Sequence, residues 1–266
     1  MANTTLDAYL GAIKEKVRIL KTASRTSVAA IPFSVFDQAG YPAAGTMAVG
    51  NTTTGVVPTN ATNGYPKIRA FAGANKGYLG AVTFGNSVAC NIDIFDTLFS
   101  VGAIPFTAAT TTLASQPSYA ARVPDGYYPN NTEIWLEAVT AFTGNLSVAI
   151  TYTNQDGVTG KTTGVVSTGA ALIVGRMFLM PLAAGDTGVQ KIESITPSVA
   201  TAGTFNVHVL RRLHEVRVRI NNDGDTHDFI KTGSSEVYAN SALRPIVYAD
   251  STATGLLDLT MEVFQG

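Results

Sequence analysis

Apolar residues first recur at Leu6, Leu10, Ile13, Val17 and Leu20, in alternating steps of four and three, which gathers them on one stripe of an α-helix. Thr4-Thr5-Leu6-Asp7 supplies a capping hydroxyl and a first-turn carboxylate where the helix dipole favours negative charge. Lys14, Lys16, Arg18 and Lys21 then cluster toward the C-terminal half, and they read as solvated cations that complement the dipole. The pattern predicts a short N-terminal helix followed by an arm to residue 30. Its stripe must be buried, on its own chain or on a neighbouring subunit. The five stripe residues Leu6, Leu10, Ile13, Val17 and Leu20 are therefore the candidate assembly interface.

From Ile31 the periodicity turns from helical to extended, and Gly and Pro punctuate the chain about every ten residues. Ile31-Pro32-Phe33-Ser34-Val35-Phe36 ends at the turn residues Asp37-Gln38-Ala39-Gly40, and further turns are signalled at Asn63–Pro66, Gly73–Gly77 and Gly85-Asn86. The run from Ile92 to Phe99 fits either a strand or a short buried helix. Ile134, Leu136 and Ala138 alternate with Glu133, Trp135 and Glu137, and after Gly144 the residues Leu146, Val148, Ile150 and Tyr152 alternate in the same way. Both read as half-buried strands. Asn154-Gln155-Asp156-Gly157 follows as a hairpin turn, with Asp-Gly giving the positive-φ geometry that hairpins favour. Val189–Ile195, Phe205–Val209, Val216–Ile220, Pro245–Tyr248 and Leu257–Phe264 complete the strand series.

The fold class expected is mainly β, with two β-sandwich-like domains and a short N-terminal helix. The division predicted is residues 1–30 as helix and arm, 31–129 as a first β domain and 130–213 as a second sandwich. Residues 214–266 are strands that could complete either domain. A chain of 266 residues is long enough for two such cores.

Composition adds a statement about the surface. Charged residues make up 14% where about 25% is usual, while the apolar fraction of 45% is ordinary. Thr, Ser, Asn and Gly fill the difference, as in Asn51-Thr52-Thr53-Thr54-Gly55 and Ala108-Ala109-Thr110-Thr111-Thr112. Such a surface costs little to desolvate against a partner. With Lys+Arg 18 against Asp+Glu 19 the formal net charge is −1, so no basic field draws the chain onto nucleic acid. No apolar run approaches the ~18 residues of a membrane span, and the first residues are polar, so a soluble chain without an export signal is expected.

Candidate chemistry is sparse. The lone Cys90 excludes an intrachain disulfide and reads as a buried, inert thiol on a strand. His208, His214 and His227 show no H-x-x-x-H spacing. Asn221, Asp223 and Asp225 repeat every second residue as calcium-loop oxygens do, but Thr226 stands where an EF-hand wants Gly and Thr232 where it wants a carboxylate. A β-turn is the reading there, with calcium in a non-EF geometry left open. No nucleophile elbow, Walker loop or H-E-x-x-H occurs. The expectation is a protein with no catalytic, cofactor-binding or metal-binding residues.

The stretch Gly175-Arg176-Met177 through Ala183-Ala184-Gly185-Asp186-Thr187-Gly188-Val189, then Ile192-Glu193-Ser194-Ile195 and Thr201–Val207, resembles a β-rich module of tailed-bacteriophage virion structural proteins. Thr5–Leu10 and Arg25-Thr26-Ser27 are similar to the start of such proteins. The resemblance implies a head-associated accessory protein of the capsid decoration or cement type. It also implies as partners the major capsid protein and copies of itself, for which a trimer would suit the three-fold positions where capsid subunits meet; charge and apolar runs, as above, leave no nucleic acid and no membrane as expected partners. A tail, neck or fibre protein with a receptor- or carbohydrate-binding role is the alternative. The resemblance transfers no functional residues.

Overall fold

The computed structural model describes residues 5–72, 76–124, 132–145, 147–167 and 173–265. In chain order it begins with α1 (Leu6–Ala12), β1 (Ile13–Lys21), β2 (Pro32–Ser34), β3 (Gly40–Tyr41), β4 (Asn51–Val56) and β5 (Gly77–Asn86). There follow β6 (Cys90–Thr107), β7 (Thr111–Thr112), a 3-10 turn at Ala120–Arg122, β8 (Thr132–Ala138), β9 (Ser147–Asn154), β10 (Lys161–Thr162), β11 (Val166–Ser167) and β12 (Met177–Met180). The last part holds β13 (Val189–Pro197), β14 (Ala200–Val218), β15 (Asp223–His227), α2 (Phe229–Thr232), β16 (Glu236–Val237), β17 (Leu243–Ala249) and β18 (Leu257–Gln265).

The N-terminal stripe does not form one helix. α1 ends at Ala12, and Ile13, Val17 and Leu20 lie on strand β1, which pairs antiparallel with β18. Val17 and Ile19 are buried two residues apart, the period of a strand. The charges follow the same period. Lys16 and Arg18 face outward and pair with Glu262 and Asp258 of β18, Lys16 Nζ at 2.9 Å and Arg18 through two contacts of 3.1 and 2.8 Å. Lys21, expected among the solvated cations, is only 2% exposed, and its ammonium donates to the Gln38 carbonyl at 3.1 Å. Three β-branched residues in seven positions favour the strand, and pairing along β18 buries the apolar side that an isolated two-turn helix could not.

Two long strands organise the rest. β6 has 18 residues and β14 has 19, and they pair antiparallel along their length. At about 3.3 Å per residue each spans roughly 60 Å. They sit at the centre of a seven-stranded sheet in the order β12-β8-β14-β6-β17-β2, with β4 added to β6. Two smaller sheets, β15-β5-β18-β1-β3 with β16 and β10-β9-β13-β7 with β11, pack on it.

Each small sheet closes one apolar core. Val17, Leu79, Phe84, Leu259 and Met261 meet Ile92, Ile94, Val216 and Val218 in one. Val148, Ile150, Ile192 and Ile195 meet Val101, Leu136, Val207 and Val209 in the other. The register shifts along the β14–β6 ladder let the inward set pass from the odd-numbered Val207 and Val209 to the even-numbered Val216 and Val218. β14 thus runs unbroken through position 213/214, and strands from both sides of position 129/130 share the long sheet. The protein is mainly β, as the alternation indicated.

Candidate functional site

The face of the long sheet turned away from these cores carries a row of polar side chains. Five neighbouring strands each contribute one: Glu137 from β8, His208 from β14, Ser100 from β6, Arg244 from β17 and Ser34 from β2, all buried. Glu137 Oε2 lies 2.9 Å from His208 Nε2, and His208 Nδ1 lies 2.7 Å from Ser100 Oγ. Arg244 donates to Glu137 Oε1 and, at 2.7 Å, to Ser34 Oγ. Asn206, two residues before His208, donates to the Met47 carbonyl at 2.6 Å and to Glu137 at 3.2 Å.

The covering layer comes from the segment after β2. Phe36 lies under the Arg244 guanidinium at 4.9 Å from its ring centre and packs on Tyr65. The electrostatics of the row follow from this geometry. Burial pushes the Glu137 carboxyl up, but Arg244 and His208 outweigh it and hold the group down to about 2. Burial also holds the His208 imidazole below its ordinary range, against the pull of Glu137. With Nε2 donating to Glu137, Nδ1 accepts from the Ser100 hydroxyl. That order of groups is the one used to activate a serine nucleophile. All three side chains are buried, however, and the hydroxyl is not presented to solvent.

A second ionic cluster occupies the opposite face. Asp96, Arg211 and Leu243 are register partners, and Leu243 belongs to an apolar core, so the three project to the core side. Asp96 is fully buried and accepts from Arg122, from Ser241 Oγ at 2.7 Å and from the Ala242 amide at 2.8 Å. Arg122 also donates to the carbonyls of Pro58 and Thr97, the latter at 2.9 Å, and Arg211 donates to the Glu236 carbonyl at 2.7 Å. The Asp96 carboxylate thereby fastens two connecting segments to the long sheet, and Arg122 adds a third through the Pro58 carbonyl.

The candidate residues named from the sequence fall in different places. Of the stripe, Val17 is buried within its own chain's core, while Ile13 and Leu20 are half-buried on β1. The side chains of Leu6 and Leu10 lie outside the described ones. Cys90 is buried beside Asn86, whose amide donates to Sγ at 3.0 Å, and burial pushes the thiol up to about 11. In the Asn221–Asp228 stretch three of the side-chain oxygens accept from backbone amides. Asn221 accepts from the Ala89 amide at 2.9 Å, Asp225 from Thr226 at 2.7 Å, and Asp228 caps α2 through the Lys231 amide at 3.1 Å. Among the described residues no three His, Cys, Asp or Glu side chains converge on one point.

Two histidines that the spacing left unpaired are brought together. His214 Nε2 lies 2.9 Å from His227 Nδ1, joining the end of β14 to β15, and Phe84 packs edge-on against His227. Burial and the neighbouring ring hold His214 down to about 4. A shallow groove beside the pair is lined by Glu215, Arg217, Arg219, Asp225 and Lys231. Among the described residues no helix is long and apolar enough to cross a membrane.

Comparison with known proteins adds little to this geometry. No protein-family profile matches the sequence, and no curated protein does. Among solved structures, the infectious bursal disease virus VP2 subviral particle aligns at 12% identity over 96% of this chain and 80% of that one, with a TM-score of 0.20. The structure of the Gt strain of the same virus aligns at 13% identity over 94% and 80%, with a TM-score of 0.17. Similarity at this level does not establish a common fold.

Proposed function

We propose that this chain is a non-enzymatic structural subunit of a tailed-phage particle, a capsid decoration or cement protein that stabilises the head. The observation that carries the reading is the use made of the ionisable groups in the interior. Glu137, His208 and Arg244 on one face, and Asp96, Arg122 and Arg211 on the other, tie strands and connecting segments to one long sheet. The interior is cross-linked, while the surface is poor in charge and rich in hydroxyls and amides, which suits burial against other subunits. The tailed-phage assignment itself rests on the sequence resemblance at Gly175–Val207.

On this reading the chain contacts the major capsid protein and copies of itself, is carried on the virion head, and needs no cofactor. Quantitative mass spectrometry of purified particles, with heads and tails separated, tests it. A copy number comparable to that of the major capsid protein, in the head fraction, is expected. Recovery with tails alone, or at a few copies per particle, would overturn the decoration role. Turnover of capsular polysaccharide or peptidoglycan that is lost on changing one Asp or Glu would overturn the non-enzymatic role.

A further inference from the structure

Between β14 and β16 the chain leaves the body of the protein and returns to it. From Asn221 to Lys231 every residue is exposed except His227. This flap consists of β15, which lies at the edge of its sheet against β5, and the single turn of α2. Left-handed backbone bounds it, at Asn222 (φ +58°) on one side and at Gly233 (φ +62°) and Ser234 (φ +49°) on the other. At the second boundary the chain is fastened again: Thr232 Oγ1 donates to the Leu79 carbonyl at 2.8 Å and Ser235 Oγ to the Leu213 carbonyl at 2.7 Å. Along the flap the ladder to β5 is joined by exposed hydrogen bonds, Thr226 with Thr83 at 3.1 Å and Asn221 with the Ala89 amide at 2.9 Å. His227 adds the half-buried contact, its Nδ1 2.9 Å from His214 Nε2 and its ring against the edge of Phe84.

We propose that the histidine pair is an acid-sensitive latch: protonation of both rings releases β15 and α2 from β5 while the long sheet stays folded. A hydrogen bond between two imidazoles needs one nitrogen with a proton and one without. A first added proton is tolerated, since an imidazolium still donates to a neutral ring. A second is not, because two N–H groups would then point at each other across 2.9 Å and two cations would share a half-buried site. The neighbouring strands offer little to offset that charge. β5 has no charged residue, and β6 sets Ile94 opposite His214 while its Asp93 is bound by Arg212 and Tyr248. Asp225 and Asp228 favour charge on His227, Lys231 opposes it, and Glu215, Arg217 and Arg219 of β14 line the groove beside the pair. On His214, burial and His227 itself disfavour charge.

Once the flap opens, both rings reach water and take up protons in the ordinary histidine range, about 6.5. Acid therefore favours the open state, and each proton bound by that state alone raises the opening constant by up to about tenfold per pH unit below that range. β6 and β14 pair with each other and not with β15, so the long sheet survives the opening. What is uncovered is the edge of β5 from Val82 to Asn86. The inference does not depend on where in a particle the chain is carried.

Hydrogen–deuterium exchange of the full-length chain, read by mass spectrometry as protection relative to the intrinsic rate at each pH, tests it from about pH 7.5 to about pH 5, above the ordinary aspartate range. Protection of the β15 and α2 amides should fall at least about tenfold across that window, and protection of β6 and β14 should not change. In His214→Gln and His227→Gln one ring is replaced by an amide that accepts from a protonated histidine. Flap protection in these variants, whatever its level at neutral pH, should be independent of pH, which a merely structural role for the rings would not produce. Flap protection in the parent that does not change with pH would overturn the inference, as would a loss in step with β6 and β14. A variant that keeps the parent's pH dependence would also overturn it.

Discussion

The Glu137 carboxylate and the Arg244 guanidinium, 107 residues apart in the chain, meet as a buried ion pair across the long sheet. Neither charge has water to fall back on, so the value of each depends on the other. Replacing one partner leaves an uncompensated buried charge, which costs about 3–5 kcal/mol. Glu137→Gln and Arg244→Met should each lower the unfolding free energy by that order in urea titrations. The double variant should lose clearly less than the sum of the two. Strict additivity would mean that the pair is not coupled.

The same groups set the response to acid. Glu137 is depressed from 4.5 to about 2, so its contribution is fully present above about pH 4.5 and is lost as pH falls toward 2. His214 is depressed from 6.5 to about 4, and it stays neutral in the folded chain where the unfolded chain takes up a proton. Its contribution is present above about pH 6.5 and is lost as pH falls toward 4. His208 and His227 are shifted in the same direction and add to that upper limb. Stability should therefore fall in two stages on acidification. His214→Gln should flatten the upper stage and Glu137→Gln the lower. An upper stage unmoved by His214→Gln would remove the histidine pair from the account.

Strand and helix readings of the N-terminal segment make opposite statements about Ile19. On a helix bearing the Leu6–Leu20 stripe it lies off the apolar face, whereas on β1 it is buried with Val17. Ile19→Ala should cost about 2–5 kcal/mol, the usual range for a buried Ile truncated to Ala. Lys16→Ala, which removes a surface pair with Glu262, should cost about 0.2–1 kcal/mol. Equal small effects from the two changes would contradict the strand.

Where one face of a strand is apolar and the other polar, the sequence shows it. The alternations at Val148–Tyr152 and Leu257–Val263 fall on β9 and β18, and Gly157 has the positive φ of +77° that the Asp-Gly turn calls for; the alternation at Ile134–Ala138 falls on β8, which is not half-buried as expected, because Trp135 and Glu137 on its second face are buried too. The long strands were less legible. From Ile92 to Val101 nearly every residue of β6 is buried on both faces, which removes the period-two signal and leaves helix and strand equivalent on paper. The N-terminal stripe misled because Ile13, Val17 and Leu20 satisfy the helical spacing, and tertiary pairing with β18 overrode it. The polar row was hidden by distance, Arg244 and Ser34 being 210 positions apart. Its one local sign is a charge inside an apolar strand, Arg244 within Leu243-Arg244-Pro245-Ile246-Val247 and Glu137 between Leu136 and Ala138. A charge so placed has to find a partner in the interior.

Truncation separates the helix from the strand that follows it. β1 is an interior strand of its sheet, paired with β18 on one side and β3 on the other, and Val17 and Ile19 help to fill the core beneath. Removing residues 1–24 takes the whole strand away, exposes the β18 ladder edge and opens a void where two buried side chains stood. That chain should lose its cooperative thermal transition or melt far below the parent. Removing residues 1–12 leaves β1 and its pairing in place, and should keep a cooperative transition close to the parent's. With the fold preserved, this shorter deletion tests an assembly role for α1, which the longer one cannot. Loss of particle binding by the 1–12 deletion, at unchanged melting, would assign the helix to an intersubunit contact, and unchanged binding would confine the N-terminal contribution to β1.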